Sequence, residues 1–320
     1  MRAIVQDGYG SPDVLRLKDI DTPSIGDGDV LVRVHAAGLN AGDYFTMRGV
    51  PVLIRLTMGL RRPRNGRVAG WDVAGRVETV GSTVTRLRPG DEVFGACGMT
   101  GGALAEYACL PADRLAPKPA DLSFEQAAAV PTAAATALRA LRDVGKVGAG
   151  QKVLVNGASG GVGTFAVQIA KWLGAEVTGV CSGRNMDLVR SLGADHVIDY
   201  TQEDFTQGGQ RYDLILDNVG SRSFADCRRA LTPQGRLLPN TGHAGMGYVV
   251  QAFALSAFVH HIARPFLGTP TTEDLVLLKG LLESGKVRPV IDRTYPLEET
   301  PQAVAYLGLG HARGKVVIIV

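Results

Sequence analysis

The residues best suited to do chemistry are the glycines of a short motif near the middle of the chain. Residues 152–163 read KVLVNGASGGVG: an apolar run predicts a strand, a glycine-rich turn follows, and a helix-compatible run begins at Val162. Strand, tight turn and helix in this order are the context that a dinucleotide-binding motif requires. The motif residues predicted to bind the cofactor are Ala158, Ser159, Gly160, Gly161, Val162 and Gly163.

This chemistry follows from what glycine lacks. Without Cβ atoms, the glycines at 157, 160, 161 and 163 let the backbone turn sharply and approach a pyrophosphate closely. The helix that follows would direct its unpaired N–H groups and the positive end of its dipole at that anion. A glycine-rich string alone is also compatible with an ordinary turn, and the flanking strand and helix favour a cofactor site.

The residues after the next predicted strand, 176–180, indicate which dinucleotide binds. An NAD site usually places Asp or Glu about 20 residues past the glycines, where it accepts hydrogen bonds from the ribose 2′-hydroxyl. Residues 177–186 contain no acid but do contain Ser182 and Arg184. Ser182 can donate to a 2′-phosphate and Arg184 can pair with it, so the sequence predicts NADP(H). The alternative is that Arg184 is a solvated loop charge.

The elements that must position these residues change character along the chain. Residues 1–118 are rich in glycine, proline and short apolar runs, which predicts an all-β domain built as a partly open barrel. Ser123 is the predicted N-cap of the next segment, with Gln126 completing a capping box. The predicted strands of the first part are residues 30–36, 71–80, 91–94 and 105–110, and the helices after Ser123 are residues 125–130 and 132–144.

From residue 152 strands and helices alternate, which predicts a doubly wound parallel sheet of α/β class. The predicted strands are residues 152–156, 176–180, 196–199, 213–217 and 235–239, and the helices are residues 162–173, 185–192, 221–230 and 272–284. The tail regains strand character at 288–293 and 315–320, around a helix at 297–307, so we expect it to fold back onto the first domain. The predicted domains are residues 1–118 with 289–320, and residues 119–288.

Composition sets the broad class. The 320 residues suffice for two domains, and 45% hydrophobic with 20% charged residues is typical of globular cores. A formal net charge of +3 argues against general nucleic-acid binding. The four cysteines are scattered, without Cys-x-x-Cys, so neither a disulfide framework nor a metal knuckle is predicted. We expect a cytoplasmic protein, because no signal-peptide pattern is present and the apolar stretch 248–259 is too short to span a membrane.

Short strings recur in a fixed order along the whole chain. They are GLN at 38–40 followed by Asp43, AGWDVAG at 69–75, GDEVFG at 90–95, GGALAEY at 101–107, ASGGVG at 158–163 and GKVV at 314–317. In this order they resemble the medium-chain dehydrogenase/reductase superfamily, and in detail its zinc-free quinone oxidoreductase branch, to which zeta-crystallin belongs. The resemblance implies a GroES-like partly open β-barrel domain, a Rossmann domain that binds NADP(H), and hydride-transfer chemistry.

The zinc-dependent alcohol dehydrogenases of this superfamily hold catalytic zinc through a cysteine, a His-Glu pair and a later cysteine. By resemblance, those positions are occupied here by Asn40, Trp71-Asp72 and Thr132. Because a tetrahedral zinc site needs three or four ligands and only Asp72 could serve, the sequence predicts no catalytic zinc. The four closely spaced cysteines of a structural zinc are missing too.

Without a Lewis acid, reversible alcohol oxidation is disfavoured, whereas quinones and α,β-unsaturated carbonyls already draw electrons towards their oxygen. The resemblance places Asn40 in the active site, where its amide can donate to a carbonyl oxygen. Asp43 would order the site or contact the nicotinamide ribose, and Tyr44 is a candidate proton donor. The alternatives are a turn-stabilising asparagine at 40 and a packed aromatic ring at 44.

On the cofactor side, further residues follow predicted strands at the edge of the sheet where ligands bind. Tyr200 ends the third strand, and the resemblance lets it reach the 2′-phosphate; an exposed aromatic is the alternative. The resemblance places Thr136 and the run Asn218, Val219 and Gly220 near the nicotinamide end. Asn240 and Gly242, also predicted to bind the cofactor, follow the next strand at the same edge.

Three further features leave choices open. A basic cluster at Arg55, Arg61, Arg62, Arg64 and Arg67 could bind an anion or simply be a solvated loop. An RNA-binding role, known for zeta-crystallin, is disfavoured by the near-neutral charge. The pair at 260–261, both histidines, is expected in a packed segment rather than at a metal. Relatives are often dimers, so a homodimer through the apolar residues 249–258 is an expectation beside a monomer.

The sequence thus predicts a zinc-independent NADPH oxidoreductase acting on quinones or related activated carbonyl compounds. An enoyl-type double-bond reductase of a biosynthetic pathway stays open, because variable loops such as 44–66 and 243–266 would line the substrate pocket. A cofactor-binding redox sensor or structural protein with little catalysis also stays open, since fold does not determine function.

Overall fold

The computed structural model describes residues 1–50, 52, 54–63, 67–240, 246–256, 259, 262 and 268–320. The chain forms two compact units. The first comprises Met1–Ala135, Thr269–Gly285 and Pro289–Val320, and the second comprises Thr136–Gly268 and Lys286–Arg288. The tail that begins at Pro289 belongs to the first unit.

The strands are β1 (Arg2–Gln6), β2 (Leu15–Asp19), β3 (Asp29–Leu39), β4 (Asp72–Val80), β5 (Glu92–Ala96), β6 (Tyr107–Pro111), β7 (Leu115–Pro117), β8 (Lys152–Asn156), β9 (Glu176–Cys181), β10 (His196–Asp199), β11 (Tyr212–Asp217), β12 (Leu231–Pro239), β13 (Ile291–Pro296) and β14 (Lys315–Ile319). The helices are α1 (Ala41–Arg48), α2 (Ile54–Met58), α3 (Phe124–Ala128), α4 (Pro131–Leu138), α5 (Gly161–Trp172), α6 (Met186–Ser191), α7 (Phe224–Arg229), α8 (Met246–Ser256), α9 (Thr272–Glu283) and α10 (Thr300–Gly308). Within the described ranges, none of these helices is long and apolar enough to cross a membrane.

The first unit is built on a seven-stranded sheet in the order β13-β14-β3-β4-β5-β7, with β6 also paired to β3. In the antiparallel pairing of β14 with β3, Val316 lies opposite Leu39, and in that of β4 with β3, Asp72 lies opposite Gly38. Gly38 must lack a side chain, because a Cβ there would lie 2.1 Å from the carbonyl oxygen of Ala128. The end of β3 and the starts of β4 and β14 therefore meet at one place.

The second unit contains a five-stranded sheet in the order β10-β9-β8-β11-β12, and all its pairings are parallel. This confirms the predicted doubly wound α/β architecture. Strands β8, β9, β11 and β12 contribute Leu154, Val180, Ile215 and Leu237, respectively, to an apolar core. Because the strands are parallel, their carboxyl ends lie along one edge, which is where ligands of open α/β sheets bind.

Two segments group differently from the sequence-based division. Residues 119–135 and 269–285 belong to the first unit, although the sequence assigned them to the dinucleotide-binding domain. The reason is long-range packing: α3 packs against β3 and β4, and α9 packs against β7. Thr272 in α9 also donates a hydrogen bond to the carbonyl oxygen of Asp113 at 2.5 Å.

Several element boundaries also differ from the predicted ones. The predicted helix 132–144 ends as α4 at Leu138 and continues as a π-helical turn over Arg139–Val144. The predicted helix 221–230 starts at Phe224, because the Ser223 side chain caps it by accepting from the backbone N–H of Asp226. The predicted capping box of Ser123 and Gln126 is present at the start of α3.

Candidate functional site

The glycine motif forms a tight turn between β8 and α5 in the second unit. Gly157 has φ of +78°, a left-handed backbone that favours glycine, and Gly160 is the N-cap of α5. A Cβ on Gly163 would lie 2.1 Å from the carbonyl oxygen of Gly157 and 2.8 Å from the backbone of Ala158. The turn therefore excludes a side chain at 163. The open N–H groups of a 12-residue helix fit a pyrophosphate, and Val162 lies in its first turn.

The middle of the motif is held by the neighbouring strand. The backbone N–H groups of Gly157 and Ala158 both donate to the carbonyl oxygen of Val180, at 3.1 and 2.9 Å. The hydroxyl oxygen of Ser159 accepts a hydrogen bond from Asn185 Nδ2 at 3.0 Å. These bonds fix the turn before any ligand binds, so the cradle is preorganised.

The residues predicted to contact the 2′-phosphate lie at the ends of β9 and β10. Tyr200 donates its backbone N–H to the carbonyl oxygen of Cys181 at 3.1 Å, which brings it next to Ser182 in the sheet. Arg184 is exposed, and 53% of Tyr200 is exposed, so both side chains are accessible to a ligand. The structure therefore groups Ser182, Arg184 and Tyr200 at one edge.

The same edge carries a carboxylate that sequence reasoning missed. Asp199 lies opposite Cys181 in the β10–β9 pairing, and its Oδ2 is 2.6 Å from the position of a Cβ on Gly183. Its Oδ1 accepts from the backbone N–H and hydroxyl of Thr201, at 3.0 and 2.9 Å. The acid of an NAD site is expected in the residues that directly follow β9, whereas Asp199 comes from the adjacent strand β10.

The residues predicted for the nicotinamide end form a second group beside the glycine turn. Asn218 Nδ2 donates to the carbonyl oxygen of Asn156 at 3.0 Å, and Asn240 Nδ2 donates to Asn218 Oδ1 at 2.7 Å. A Cβ on Gly157 would lie 2.9 Å from Val219 Cγ2, so the 218–220 loop covers the turn. The structure thus brings Asn218, Val219 and Asn240 together with the motif.

A buried acid that the sequence did not single out holds this loop. Asp217 Oδ1 accepts from Asn156 Nδ2 at 2.8 Å and from the backbone N–H groups of Val219 and Gly220 at 3.1 and 2.9 Å. Its Oδ2 accepts from the Tyr248 hydroxyl at 2.6 Å, and burial together with this carboxylate raises the pKa of Tyr248 far above its ordinary value. An aspartate that ends an apolar strand was the available signal.

Two of the predicted cofactor-binding residues, Thr136 and Gly242, are not among the described residues grouped around the glycine turn. Thr136 is buried, and a Cβ on Gly268 would lie 1.9 Å from its hydroxyl oxygen, so it packs against that segment. Gly242 lies outside the described residues, as do the histidines at 260–261. The predicted dimer segment includes Val250 and Phe253 of α8, which are 57% and 43% exposed, and the homodimer stays a prediction.

In the first unit, the positions predicted to replace zinc ligands converge on one buried polar cluster. Asn40 Nδ2 donates to Asp72 Oδ2 at 2.9 Å and to the carbonyl oxygen of Gly38 at 3.3 Å. Thr132 donates to Asp72 through its hydroxyl at 2.5 Å and its backbone N–H at 3.2 Å. The Lys315 ammonium donates to Asn40 Oδ1 at 2.6 Å and lies 3.6 Å from Asp72 Oδ2. We call these four side chains the Asn40 cluster.

Charge and burial oppose each other in the Asn40 cluster. The side chains of Lys315 and Asp72 are 3% and 0% exposed. Burial raises the pKa of Asp72, while Lys315 and the hydrogen bonds from Thr132 and Asn40 act to lower it. Burial lowers the pKa of Lys315, and the nearby Asp72 opposes that shift. Each ion is therefore held in the interior by the other.

Asp43 adjoins the Asn40 cluster through the start of α1. Its Oδ2 accepts from the Asn40 backbone N–H at 2.8 Å. Burial, the largest cause, raises the pKa of Asp43 to about 7, and the nearby Asp72 adds to the shift. Among the described residues, Asp43 Oδ1 and the indole Nε1 of Trp71 are buried and have no hydrogen-bond partner. Asp43 therefore keeps one acceptor atom unpaired next to Asn40.

Tyr44 points to a different environment. A Cβ on Gly308 in α10 would lie 2.4 Å from its ring, so the ring packs closely against that helix. Its hydroxyl accepts a hydrogen bond from Arg48 at 3.1 Å. These contacts favour the packed aromatic, and its role as proton donor stays a prediction.

The basic cluster of the sequence does not form one solvated patch. Arg67 is half-buried, and its guanidinium donates to Gln6 Oε1 at 3.1 Å and to the carbonyl oxygen of Met99 at 3.0 Å. Arg55 stacks over the Tyr9 ring at 4.7 Å and donates to the carbonyl oxygen of Gly49. Arg61 and Arg62 are exposed, and residue 64 lies outside the described ranges. Two of the arginines are therefore committed to internal contacts.

Lys315 is the cluster member that sequence reasoning missed. Its string GKVV contributed to the resemblance, but no role was assigned to the ammonium. A lysine that opens the buried strand β14 was the available signal, because such a charge needs a partner. Over the residues that the structure describes, no group of three or more His, Cys, Asp or Glu side chains could hold a metal ion.

Comparison with known proteins supports the same architecture. Residues 26–120 match the alcohol dehydrogenase GroES-like domain, and residues 192–318 match a family described as zinc-binding dehydrogenase. The chain is 37% identical to human NAD(P)H oxidoreductase RTN4IP1, mitochondrial, over 99% of this chain and 89% of that protein. It is 36% identical to 2-methylene-furan-3-one reductase of Solanum lycopersicum, over 99% of this chain and 79% of that protein.

Solved structures agree. The quinone oxidoreductase from Coxiella burnetii superposes with a TM-score of 0.89 at 34% identity, covering 100% of this chain and 99% of that one. The Escherichia coli quinone oxidoreductase complexed with NADPH superposes with a TM-score of 0.83 at 25% identity, with 100% of both chains covered.

Proposed function

Since this chain belongs to the medium-chain dehydrogenase/reductase superfamily, we propose that it is an NADPH-dependent oxidoreductase that reduces quinones or α,β-unsaturated carbonyl compounds without catalytic zinc. The observation that carries the proposal is the Asn40 cluster. At the positions of the zinc ligands it holds an amide, a hydroxyl and a carboxylate, with an ammonium 3.6 Å from that carboxylate. Such a site can orient and polarise an acceptor but presents too few metal ligands for zinc.

The relatives support this choice of acceptors. One is named as an NAD(P)H oxidoreductase, and another as a reductase of 2-methylene-furan-3-one, whose conjugated carbonyl is an activated acceptor. A third, 34% identical, is the NADPH-dependent alkenal/one oxidoreductase, chloroplastic, of Arabidopsis thaliana. The fit of the glycine turn to a pyrophosphate supports a dinucleotide as the reductant.

When bound, NADPH supplies the hydride, and the protein supplies binding and electrostatics. The N-terminus of α5 would hold the pyrophosphate, and the Asn218–Asn240 pair holds the loop beside the glycine turn. Asn40 Nδ2 donates to the acceptor oxygen by giving up its long bond of 3.3 Å to the carbonyl of Gly38, and so stabilises the developing negative charge. Asp43, with a pKa of about 7 and an unpaired Oδ1, can hold a proton at neutral pH for the reduced product.

The experiment that tests the function is NADPH oxidation by the chelator-treated protein with simple quinones, linear enones, enoyl thioesters and aldehydes, with NADH in parallel. We expect turnover with quinones or enones and a preference for NADPH. Turnover confined to enoyl thioesters would favour the biosynthetic double-bond reductase instead. Tight NADPH binding without turnover on any acceptor would favour a sensor, and activity that requires added zinc would contradict the metal-free site.

Asn40→Ala is expected to lower kcat by about 100-fold, the usual cost of removing one donor to a developing oxyanion. NADPH affinity, measured by quenching of protein fluorescence, should stay unchanged, because the glycine turn is formed by other residues. Unchanged turnover in this variant would reject the catalytic role of Asn40.

Arg184→Ala is expected to weaken NADPH binding by about tenfold, because it removes a charge-assisted hydrogen bond to the 2′-phosphate, and to leave NADH binding unchanged. Asp199→Asn should have the opposite effect, since it removes a negative charge beside the phosphate site. Titration of each variant with both cofactors measures this. Arg211→Ala is the matched control, because this exposed arginine precedes β11 at the amino edge of the sheet. Equal losses for both cofactors would contradict the assignment.

A further inference from the structure

The proposed mechanism gives no role to Lys315, the buried lysine of the Asn40 cluster. Lys315 opens β14, and the antiparallel register that sets Val316 opposite Leu39 places it beside Asn40. Its ammonium donates to Asn40 Oδ1 at 2.6 Å and lies 3.6 Å from Asp72 Oδ2, with 3% of the side chain exposed. Burying a lysine is costly unless its charge is compensated, so this placement needs a reason.

We infer that Lys315 is a positioning residue, which sets the orientation of the Asn40 amide and supplies the positive charge that a metal ion supplies at these positions in zinc-dependent relatives. The inference rests on the proposed function, in which the Asn40 amide is the donor to the acceptor oxygen. It adds the residue that makes this donor available.

The amide has two orientations, and the cluster permits one. As found, the carbonyl oxygen of Asn40 faces the ammonium of Lys315, and the NH₂ group faces the carboxylate of Asp72. Rotating the amide by half a turn would direct NH₂ at the ammonium and oxygen at the carboxylate, which replaces two attractions with two repulsions. In a buried site such mismatches are poorly screened, so the ion pair fixes the direction in which Asn40 donates.

The ammonium also affects donor strength. A cation on the amide oxygen draws electron density from the nitrogen, so the two N–H groups become better donors. One of these is committed to Asp72 at 2.9 Å, and the other makes only the 3.3 Å contact to the Gly38 carbonyl. The second N–H is the donor that can be exchanged for a substrate oxygen. Lys315 thereby does for a neutral amide part of what a Lewis acid does directly.

Asp72 is the partner that keeps the ammonium in place. It receives hydrogen bonds from the Thr132 hydroxyl, the Thr132 backbone N–H and the Asn40 amide, so it is held rigidly. This offers a way to separate orientation from charge balance. Replacing Lys315 alone leaves the buried carboxylate of Asp72 without a counter-charge, whereas replacing Lys315 and Asp72 together removes both charges.

The test compares Lys315→Met, the double variant Lys315→Met with Asp72→Asn, and Lys118→Met. Lys118 is the matched control because it is also a buried lysine of the first unit, 4% exposed and 3.2 Å from Glu92, but it lies outside the Asn40 cluster. We expect Lys315→Met to lower both Tm and kcat, the latter by about 100-fold. The double variant should recover most of the Tm while kcat stays low. Lys118→Met should lower Tm and keep kcat, and NADPH affinity should be unchanged throughout.

Recovery of kcat together with Tm in the double variant would overturn the inference, because Lys315 would then serve only to balance the charge of Asp72. Wild-type kcat in Lys315→Met would overturn it as well. A second readout does not depend on turnover: the side-chain ¹⁵N–¹H₂ signals of Asn40. We expect them to shift and to exchange faster with water in both Lys315 variants but not in Lys118→Met. If the wild-type protein reduces no acceptor, the proposed function fails, whereas unchanged Asn40 signals would reject the positioning role itself.

Discussion

Gly163→Ala is expected to weaken NADPH binding by about 1,000-fold, which corresponds to about 4 kcal/mol of binding free energy. The added Cβ would lie 2.1 Å from the carbonyl oxygen of Gly157 and 2.8 Å from the backbone of Ala158. Both neighbours are backbone atoms held by bonds to Val180, so they cannot rotate away as a side chain would. The turn must open, and the N–H groups of α5 then lose the geometry that holds a pyrophosphate.

Calorimetric titration with NADPH measures this effect, and circular dichroism checks that the variant is folded. Gly148→Ala is the matched control, because a Cβ on that glycine of the second unit would meet nothing within 4 Å. It should bind NADPH as the wild type does. A folded Gly163→Ala protein with wild-type affinity would show that the cofactor binds elsewhere.

The second large effect is a loss of stability with rising pH that Asp43→Asn abolishes. Burial raises the pKa of Asp43 from its ordinary 3.8 to about 7 in the folded protein. Between pH 3.8 and pH 7 the folded state keeps a proton that the unfolded state has lost. The contribution of Asp43 to the free energy of unfolding is therefore complete below pH 3.8 and decreases as the pH rises towards 7. Each pH unit in this window lowers the free energy of unfolding by about 1.4 kcal/mol, up to about 4 kcal/mol in total.

Asparagine at 43 keeps an acceptor for the Asn40 N–H and carries no charge, so the stability of the variant relative to the wild type should rise from pH 4 to pH 7 and stay constant above that. Denaturant unfolding at several pH values, followed by Trp71 fluorescence in a Trp172→Phe background, reports on the first unit. Asp187→Asn is the control, because that carboxylate is 97% exposed and its replacement relieves no burial of charge. A stability difference that does not change with pH would contradict the raised pKa of Asp43.

Local features of the sequence were sufficient for several elements of both units. The predicted bounds of β8 and β10 match the structure, and the capping box of Ser123 and Gln126 forms as predicted. Each of these depends on residues within one or two turns of the chain: continuous apolar runs, turn glycines and a hydroxyl that accepts a nearby N–H. The domain division was less well predicted at 119–135 and 269–285, because the surface on which a helix packs is not encoded by its own periodicity.

The candidate site also has a part that local sequence predicts and a part that it does not. The glycine turn could be derived from type and spacing alone, because the cradle is continuous in sequence. The Asn40 cluster could not, since its hydrogen bonds join residues 32, 60 and 275 positions apart. Asn40, Asp72 and Thr132 were singled out only through the resemblance, as positions where metal ligands were missing, and Asp199 was overlooked because it reaches its site across the sheet.

By itself, then, the amino-acid sequence determined the α/β class and the dinucleotide turn, because these depend on residue chemistry at short spacing. Only the tertiary structure decided which charges meet. The pairing of β14 with β3 brings the ammonium of Lys315 to an amide 275 residues away, and burial turns Asp43 from an ordinary carboxylate into one that holds a proton near neutral pH. Both outcomes depend on strand register and on exclusion of water, which are properties of the folded chain and not of any segment of it.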